Sequence, residues 1–115
     1  MKKEQSLLIA SWGDEIMARL TIHLQDGFAD DTVLVRVNGV EVYRKSGVTT
    51  KLLLGYADVF DTAVPEGAAE IMIEVPSRDL RDAFIVPGAP KTHVGISIHA
   101  NAIEHFVSPR AFAYM

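Results

Sequence analysis

His99, Glu104 and His105 lie close together in the chain on either side of Asn101. Imidazole nitrogens and a carboxylate brought together across a turn make a ligand set for a transition metal, and the chemistry they would carry is that of a metal-dependent enzyme. The plainer reading is a pair of surface histidines at a hairpin end, because no dense ligand motif accompanies them. His93 does not extend the set: six positions before His99 on a strand is roughly 20 Å away. Asp26, Asp30 and Asp31 place three carboxylates in one short stretch, a composition that suits a hard cation such as calcium. Their spacing is not that of an EF-hand, and loop aspartates commonly serve as turn residues. Ser97 and His99 share a strand face, but side chains two apart on a strand stand about 6 to 7 Å from each other, too far for a nucleophile and its base.

Other chemistries have no foothold. With no cysteine, the chain has no thiol nucleophile, disulfide or zinc ribbon. It contains neither a phosphate-binding glycine loop nor a nucleophile elbow. A net charge of -4 without a run of Lys or Arg argues against nucleic acid. No cofactor and no catalytic residue are expected. No stretch approaches the ~20 apolar residues of a membrane helix. The apolar run from Leu7 to Ala10 is shorter than the about 7 to 15 residues of a secretory core, so the expected location is cytoplasmic.

The elements that must position these residues are strands. The chain has 115 residues, 49% of them hydrophobic, with 12 Val and 9 Ile against 9 Leu, and its apolar residues alternate with polar ones. In residues 18–25, Leu20, Ile22 and Leu24 share one face. Asn38-Gly39 between two alternating runs predicts a two-residue hairpin turn. Symmetry about it pairs Val37 with Val40, Arg36 with Glu41 as an ion pair, Val35 with Val42 and Leu34 with Tyr43. Residues 58–64 read as a strand ended by Pro65-Glu66-Gly67, with 69–75 as its partner, and residues 83–86 as a short strand. Residues 92–100 and 103–107 form a last hairpin around Asn101. Leu52-Leu53-Leu54 suits a buried strand or a short helix. The expected fold is an all-β antiparallel sandwich of seven to nine short strands in residues 18–115, preceded by a segment, 1–17, that is a short helix or an extra edge strand.

Thr50, Gly55 and Phe60, then Val64-Pro65-Glu66-Gly67, then alternating Ile71, Ile73 and Val75 resemble the carboxypeptidase regulatory-like, or transthyretin-like, sandwich domains. The earlier Val35-Arg36-Val37-Asn38-Gly39 is similar to a strand of the same domains. The resemblance implies a prealbumin-like sandwich and an accessory role without catalysis, and it carries no functional residue.

Function is then sought in surfaces. Trp12, Tyr43, Tyr56 and Tyr114 are scattered, whereas sugar-binding sandwiches expose rows of aromatics; the alternative reading is a sandwich that binds carbohydrate or another small polar molecule through Tyr43, Tyr56 and its histidine face. The apolar tail Arg110-Ala111-Phe112-Ala113-Tyr114-Met115 is expected to pack back as an edge strand or to dock on a neighbour. The leading expectation is a non-catalytic interaction or assembly module, a homo-oligomer or the binder of a protein partner. It uses edge strands and apolar ends, with Trp12, Leu34, Tyr43, Phe112 and Tyr114 as interface candidates.

Overall fold

A computed structural model describes residues 17–65, 67–88 and 91–113. The expected N-terminal segment therefore lies outside the described residues, except for Met17, which opens the first strand, and so do Trp12 and Tyr114. The described chain forms eight strands: β1 (Met17–Leu24), β2 (Asp31–Val37), β3 (Val40–Val48), β4 (Asp58–Pro65), β5 (Gly67–Val75), β6 (Leu80–Gly88), β7 (Lys91–His99) and β8 (Ala102–Ser108). One turn of 3-10 helix, Pro76–Arg78, joins β5 to β6. The strands divide into two four-stranded sheets, ordered β4-β1-β7-β8 and β3-β2-β5-β6. This is the expected β-sandwich.

Alternation builds its core. Leu20, Ile22 and Leu24 of β1 and Val94, Ile96 and Ile98 of β7 point in from the first sheet. Val33, Val35 and Val37 of β2 and Ile71, Ile73 and Val75 of β5 meet them from the second. All are buried, and each such side chain contributes roughly 1.5–3 kcal/mol relative to exposure. The four strands that supply them are the inner strands of their sheets, where backbone groups are paired on both sides.

Four details depart from the expectations. First, β1 and β7 pair in parallel, with Ile22 opposite Val94 and Leu24 opposite Ile96, whereas every other pairing is antiparallel. Alternation fixes which face a residue occupies, not the direction of the neighbouring strand. Second, β4 and β5 are not partners. β4 pairs with β1, and β5 pairs with β2 and β6, so the link after Pro65 crosses between sheets. Pro and Gly mark a change of direction equally well in a hairpin and in a crossing.

Third, the Asn38-Gly39 turn has the expected positive φ at both residues, 49° and 83°, and pairs Val37 with Val40 and Arg36 with Glu41. A bulge then intervenes, so Val35 meets Tyr43 and Leu34 meets Arg44. The expected Leu34-Tyr43 pair is thereby broken: Tyr43 turns inward with Val35, and Leu34 stays on the outer face. The expected Arg36-Glu41 ion pair is also absent, since Arg36 binds Glu74 and Glu41 binds Arg44. Fourth, Leu52-Leu53-Leu54 is neither strand nor helix but an exposed turn. The last hairpin closes through Ala100 and Asn101, both at positive φ, with His99 opposite Ala102. β6 extends beyond the expected residues 83–86 because it pairs along the whole of β5.

The connection from β1 to β2 runs tight against β7. Gly27 has φ 89°, and a Cβ there would stand 2.0 Å from the Ile98 carbonyl oxygen. Gly27→Ala is therefore expected to lower unfolding free energy by about 3 kcal/mol in urea titrations. Gly95→Ala, whose Cβ would meet only the end of the Gln25 side chain, costs less than about 1.5 kcal/mol.

Candidate functional site

The last hairpin does not bring its metal candidates together. His99 pairs with Ala102 and Ser97 with Glu104, whereas His105 pairs with Ile96. Cross-strand partners share a face, so His99 and Glu104 lie on the outer face and His105 on the inner one. His105 is occupied there: its ring stacks on Phe84 of β6 at 3.9 Å, and its Nδ1 lies 2.6 Å from Asp82 Oδ2. Among the described residues, no group of three His, Asp or Glu side chains is placed to hold an ion. The Ser97 hydroxyl accepts the Asp26 N–H at 3.2 Å, which gives it a structural task in the turn.

The acidic stretch is likewise committed to structure. Asp31 is buried at 2% exposure and receives the Arg78 guanidinium on both oxygens, at 3.0 and 2.8 Å. The Ser77 hydroxyl and the Ala29 N–H donate to the same carboxylate. Burial alone would raise its pKa. The hydrogen bonds from Arg78, Ala29 and Ser77, with the charge of Arg78, outweigh that and hold it below the usual carboxylate value. Arg78 also donates to the Gly27 carbonyl, so one buried ion pair ties the 3-10 turn to the β1–β2 connection.

Tyr43 is occupied at the opposite edge from His105. Its ring stacks on Phe60 of β4 at 4.2 Å, and its hydroxyl donates to Asp58 Oδ2 at 2.7 Å, where Lys45 also reaches at 3.3 Å. Burial and the neighbouring Asp58 carboxylate push the phenol far above its ordinary pKa. Burial works against the Asp58 charge, but Tyr43, the Val59 N–H and Lys45 outweigh it, and its pKa is lowered. A ring stacked between the sheets offers no platform to a sugar. Tyr56 lies apart from it, bridged to Lys51.

On the outer face of the first sheet, parallel pairing sets His23 of β1 diagonal to His93 of β7, and their Nε2 and Nδ1 stand 3.1 Å apart. One ring donates and the other accepts, so the contact requires at least one neutral imidazole. Phe112 lies edge-on to His23 at 4.8 Å and lies 6.0 Å from Phe106. The tail up to Ala113 thus packs back on its own sheet, though not as a strand, and Phe112 is a cover for His23 rather than an exposed docking residue. Burial lowers the His23 pKa most and the charge of His93 lowers it further, while Asp61 pulls weakly the other way.

Among the described residues, the most exposed large apolar side chains lie in the connection between β3 and β4. Leu52 and Leu53 are each 92% exposed and Leu54 44%. The backbone beneath them is ordered. Lys51 and Tyr56 form an isolated bridge, and the Leu54 and Gly55 N–H groups both donate to the Lys51 carbonyl at 2.9 Å. Thr50 exchanges backbone and side-chain hydrogen bonds with Phe28 and donates to the Gln25 carbonyl at 2.7 Å. Thr49 Oγ1 accepts the Asp30 N–H. Three consecutive leucines in a β-rich chain read as buried, and the one contrary signal was their position between Lys51 and Gly55, a glycine at φ 84°. Leu34 is also placed differently from expectation: it is buried, at 6% exposure, at the floor of a groove of about 470 Å³ with Glu74, Pro76, Asp79, Leu80 and Arg81.

No protein-family model matches the chain, and no characterised protein matches it. The arrangement itself therefore carries the functional argument: titratable groups are spent on edges, turns and the tail, and an ordered apolar turn is left at the surface.

As pH falls below about 6.5, unfolded His23 takes up a proton that folded His23 resists, so stability is lost from there down through the lowered folded pKa. The urea midpoint should drop between about pH 7.5 and about pH 5.5, and His23→Gln should flatten that slope. Asp31 contributes stability above its unfolded pKa and loses it only at more acid pH. Asp31→Asn strips the charge that faces Arg78 and should cost about 3 kcal/mol at neutral pH in the same titration.

Proposed function

We propose that this domain is a non-catalytic interaction module that assembles with further copies of itself. The observation that carries the reading is the ordered turn that holds Leu52 and Leu53 at 92% exposure. A connection that served only to link β3 to β4 would need no adjacent leucines in water, and apolar residues gathered at a protruding, pinned turn mark a contact surface. Ile85 on β6 and Phe106 on β8, exposed at 65% and 64%, add apolar area on the other side of the sandwich.

The edges themselves are poor candidates for direct strand addition. Lys45, Asp58, Asp82 and His105 all lie on inward-facing positions of edge strands, which opposes edge-to-edge pairing. β6 also carries Pro87, which has no N–H to give a new neighbour. The contact therefore lies at the β3–β4 turn rather than along the edge strands. The resemblance to accessory sandwich domains without catalysis supports the same class of role. Among the described residues, no helix is long and apolar enough to cross a membrane, and a cytoplasmic setting belongs to the proposal.

Sedimentation velocity over a wide range of protein concentration checks it. The weight-average sedimentation coefficient should rise with concentration, as mass action requires for self-association. A single species of monomer mass throughout would refute the reading.

A further inference from the structure

The tail leaves β8 beside one histidine and returns over another. Ser108, the last residue of β8, pairs with His93 of β7. Its hydroxyl donates to the Arg110 carbonyl at 2.8 Å and accepts the Arg110 N–H at 3.1 Å, which together with Pro109 turns the chain back across the outer face of the first sheet. Phe112 then lies 4.8 Å from His23, 6.4 Å from His93 and 6.0 Å from Phe106, so one ring spans β1, β7 and β8. Beneath it His23 is only 5% exposed, and its Nε2 stands 3.1 Å from His93 Nδ1.

The protonation states of this pair are not equivalent. With both rings neutral, or with one protonated, a single hydrogen lies between the two nitrogens and the rings stay in contact. With both protonated, two donors and two positive charges face each other at 3.1 Å, and the rings must part. The neighbouring groups do not neutralise the second charge. Asp61 of β4 is the acid whose field reaches His23, but its oxygens already take Arg19 at 3.0 Å and Thr21 at 2.7 Å. Val59, opposite His23 on β4, is apolar. Lys91 precedes His93 by two positions on the same face of β7, and the tail itself brings Arg110. Glu104, opposite Ser97, and His99 lie further along the last hairpin. To be hydrated, the His23 ring must displace the Phe112 that covers it.

We propose that residues 109–113 form a pH-operated strap, closed over the His23–His93 pair while at least one ring is neutral and lifted when both are protonated. The strap is separate from the β3–β4 turn that carries the proposed self-association. Lifting takes Phe112 away from Phe106, which is already 64% exposed, so in mild acid the domain presents an aromatic surface that it covers at neutral pH. Burial and the charge of His93 both oppose protonation of His23, against a weaker pull from Asp61, so the change falls below the ordinary histidine value of about 6.5.

Backbone amide relaxation, measured by NMR on the full chain, reads the strap directly. Order parameters of Ala111, Phe112 and Ala113 should be about 0.85 at about pH 7.5 and fall below about 0.6 at about pH 5, while those of β1 and β5 stay at about 0.85. Proton–proton contacts between the Phe112 and His23 rings should vanish over the same range, with the midpoint at which the ring shifts report the second proton of the pair. His93→Gln leaves His23 a neutral neighbour that still forms a hydrogen bond, and it should keep the tail ordered at both pH values. Phe112→Ala should free the tail at both. A tail in the original protein that is equally ordered, or equally mobile, at the two pH values overturns the strap. Loss of order in β1 and β5 together with the tail marks global unfolding and overturns it too. So does release of the tail in His93→Gln at the original midpoint, because the second charge is then not needed. Should His93→Gln fail to fold, the original protein decides: tail release that does not coincide with the histidine titration overturns the proposal.

Discussion

The parallel pairing of β1 with β7 is the constraint on which the rest of the molecule depends. It places Leu20, Ile22 and Leu24 in line with Thr92, Val94 and Ile96, which makes one continuous inner face for the first sheet. The same register carries the chain past the sheet: Gln25 N–H donates to the Ile96 carbonyl, and Ile98 N–H to that of Asp26. This forces the backbone at residue 27 against Ile98, where only glycine fits. The connection so fixed receives Arg78 at the Gly27 carbonyl and Thr50 at the Gln25 carbonyl. A slip of one residue between β1 and β7 would turn the inner face out and withdraw the base on which the exposed leucines stand.

Much of the fold was legible because it depends on alternation, a local property. Most strand positions, the inward residues of β1, β2, β5 and β7, and the Asn38-Gly39 turn follow from side-chain spacing and from residues that accept positive φ. The site was less legible because its contacts join residues distant in the chain. Asp31 and Arg78 carry no shared local signal, nor do His23 and His93. The bulge at Val42 is small in sequence but moves Tyr43 from the outer to the inner face, and with it a residue that reads as an interface candidate becomes part of an edge. Leu52-Leu53-Leu54 misleads for a different reason: hydrophobicity reports the cost of exposure, and a binding surface is where that cost is tolerated until a partner removes it.

The two open edges of the sandwich are closed by the same device. Between β3 and β4 it is Tyr43 stacked on Phe60, with Asp58 at the hydroxyl; between β6 and β8 it is Phe84 stacked on His105, with Asp82 at the imidazole. A stacked pair adds about 0.5–1.5 kcal/mol to the area it buries, and the carboxylate gives its polar atom a partner away from bulk water. The device also explains why polar chemistry that looks functional in the sequence is quiet in the fold. Tyr43, Asp58, Asp82 and His105 are each engaged by a neighbour across the sheets, and the inward charges that result make each edge unattractive to another strand.

With edges protected and the tail folded over His23, the apolar surface that stays exposed on an ordered backbone gains significance. Flexible apolar loops can hide their side chains by collapsing onto the nearest surface. The 51–56 turn cannot, because its own hydrogen bonds and those of Thr49 and Thr50 to the neighbouring connection hold it out. Each of those bonds offsets the entropy of fixing the chain but does nothing to lower the cost of wetting two leucines. The structure therefore maintains the exposure, and a partner that covers Leu52 and Leu53 gains their full transfer free energy while ordering almost nothing new. Under the proposed function, rigidity at the base and hydrophobicity at the tip act together as a preorganised contact. The Asp31-Arg78 pair, which fixes the adjacent connection from its buried position, is then part of the contact's support although it touches no partner.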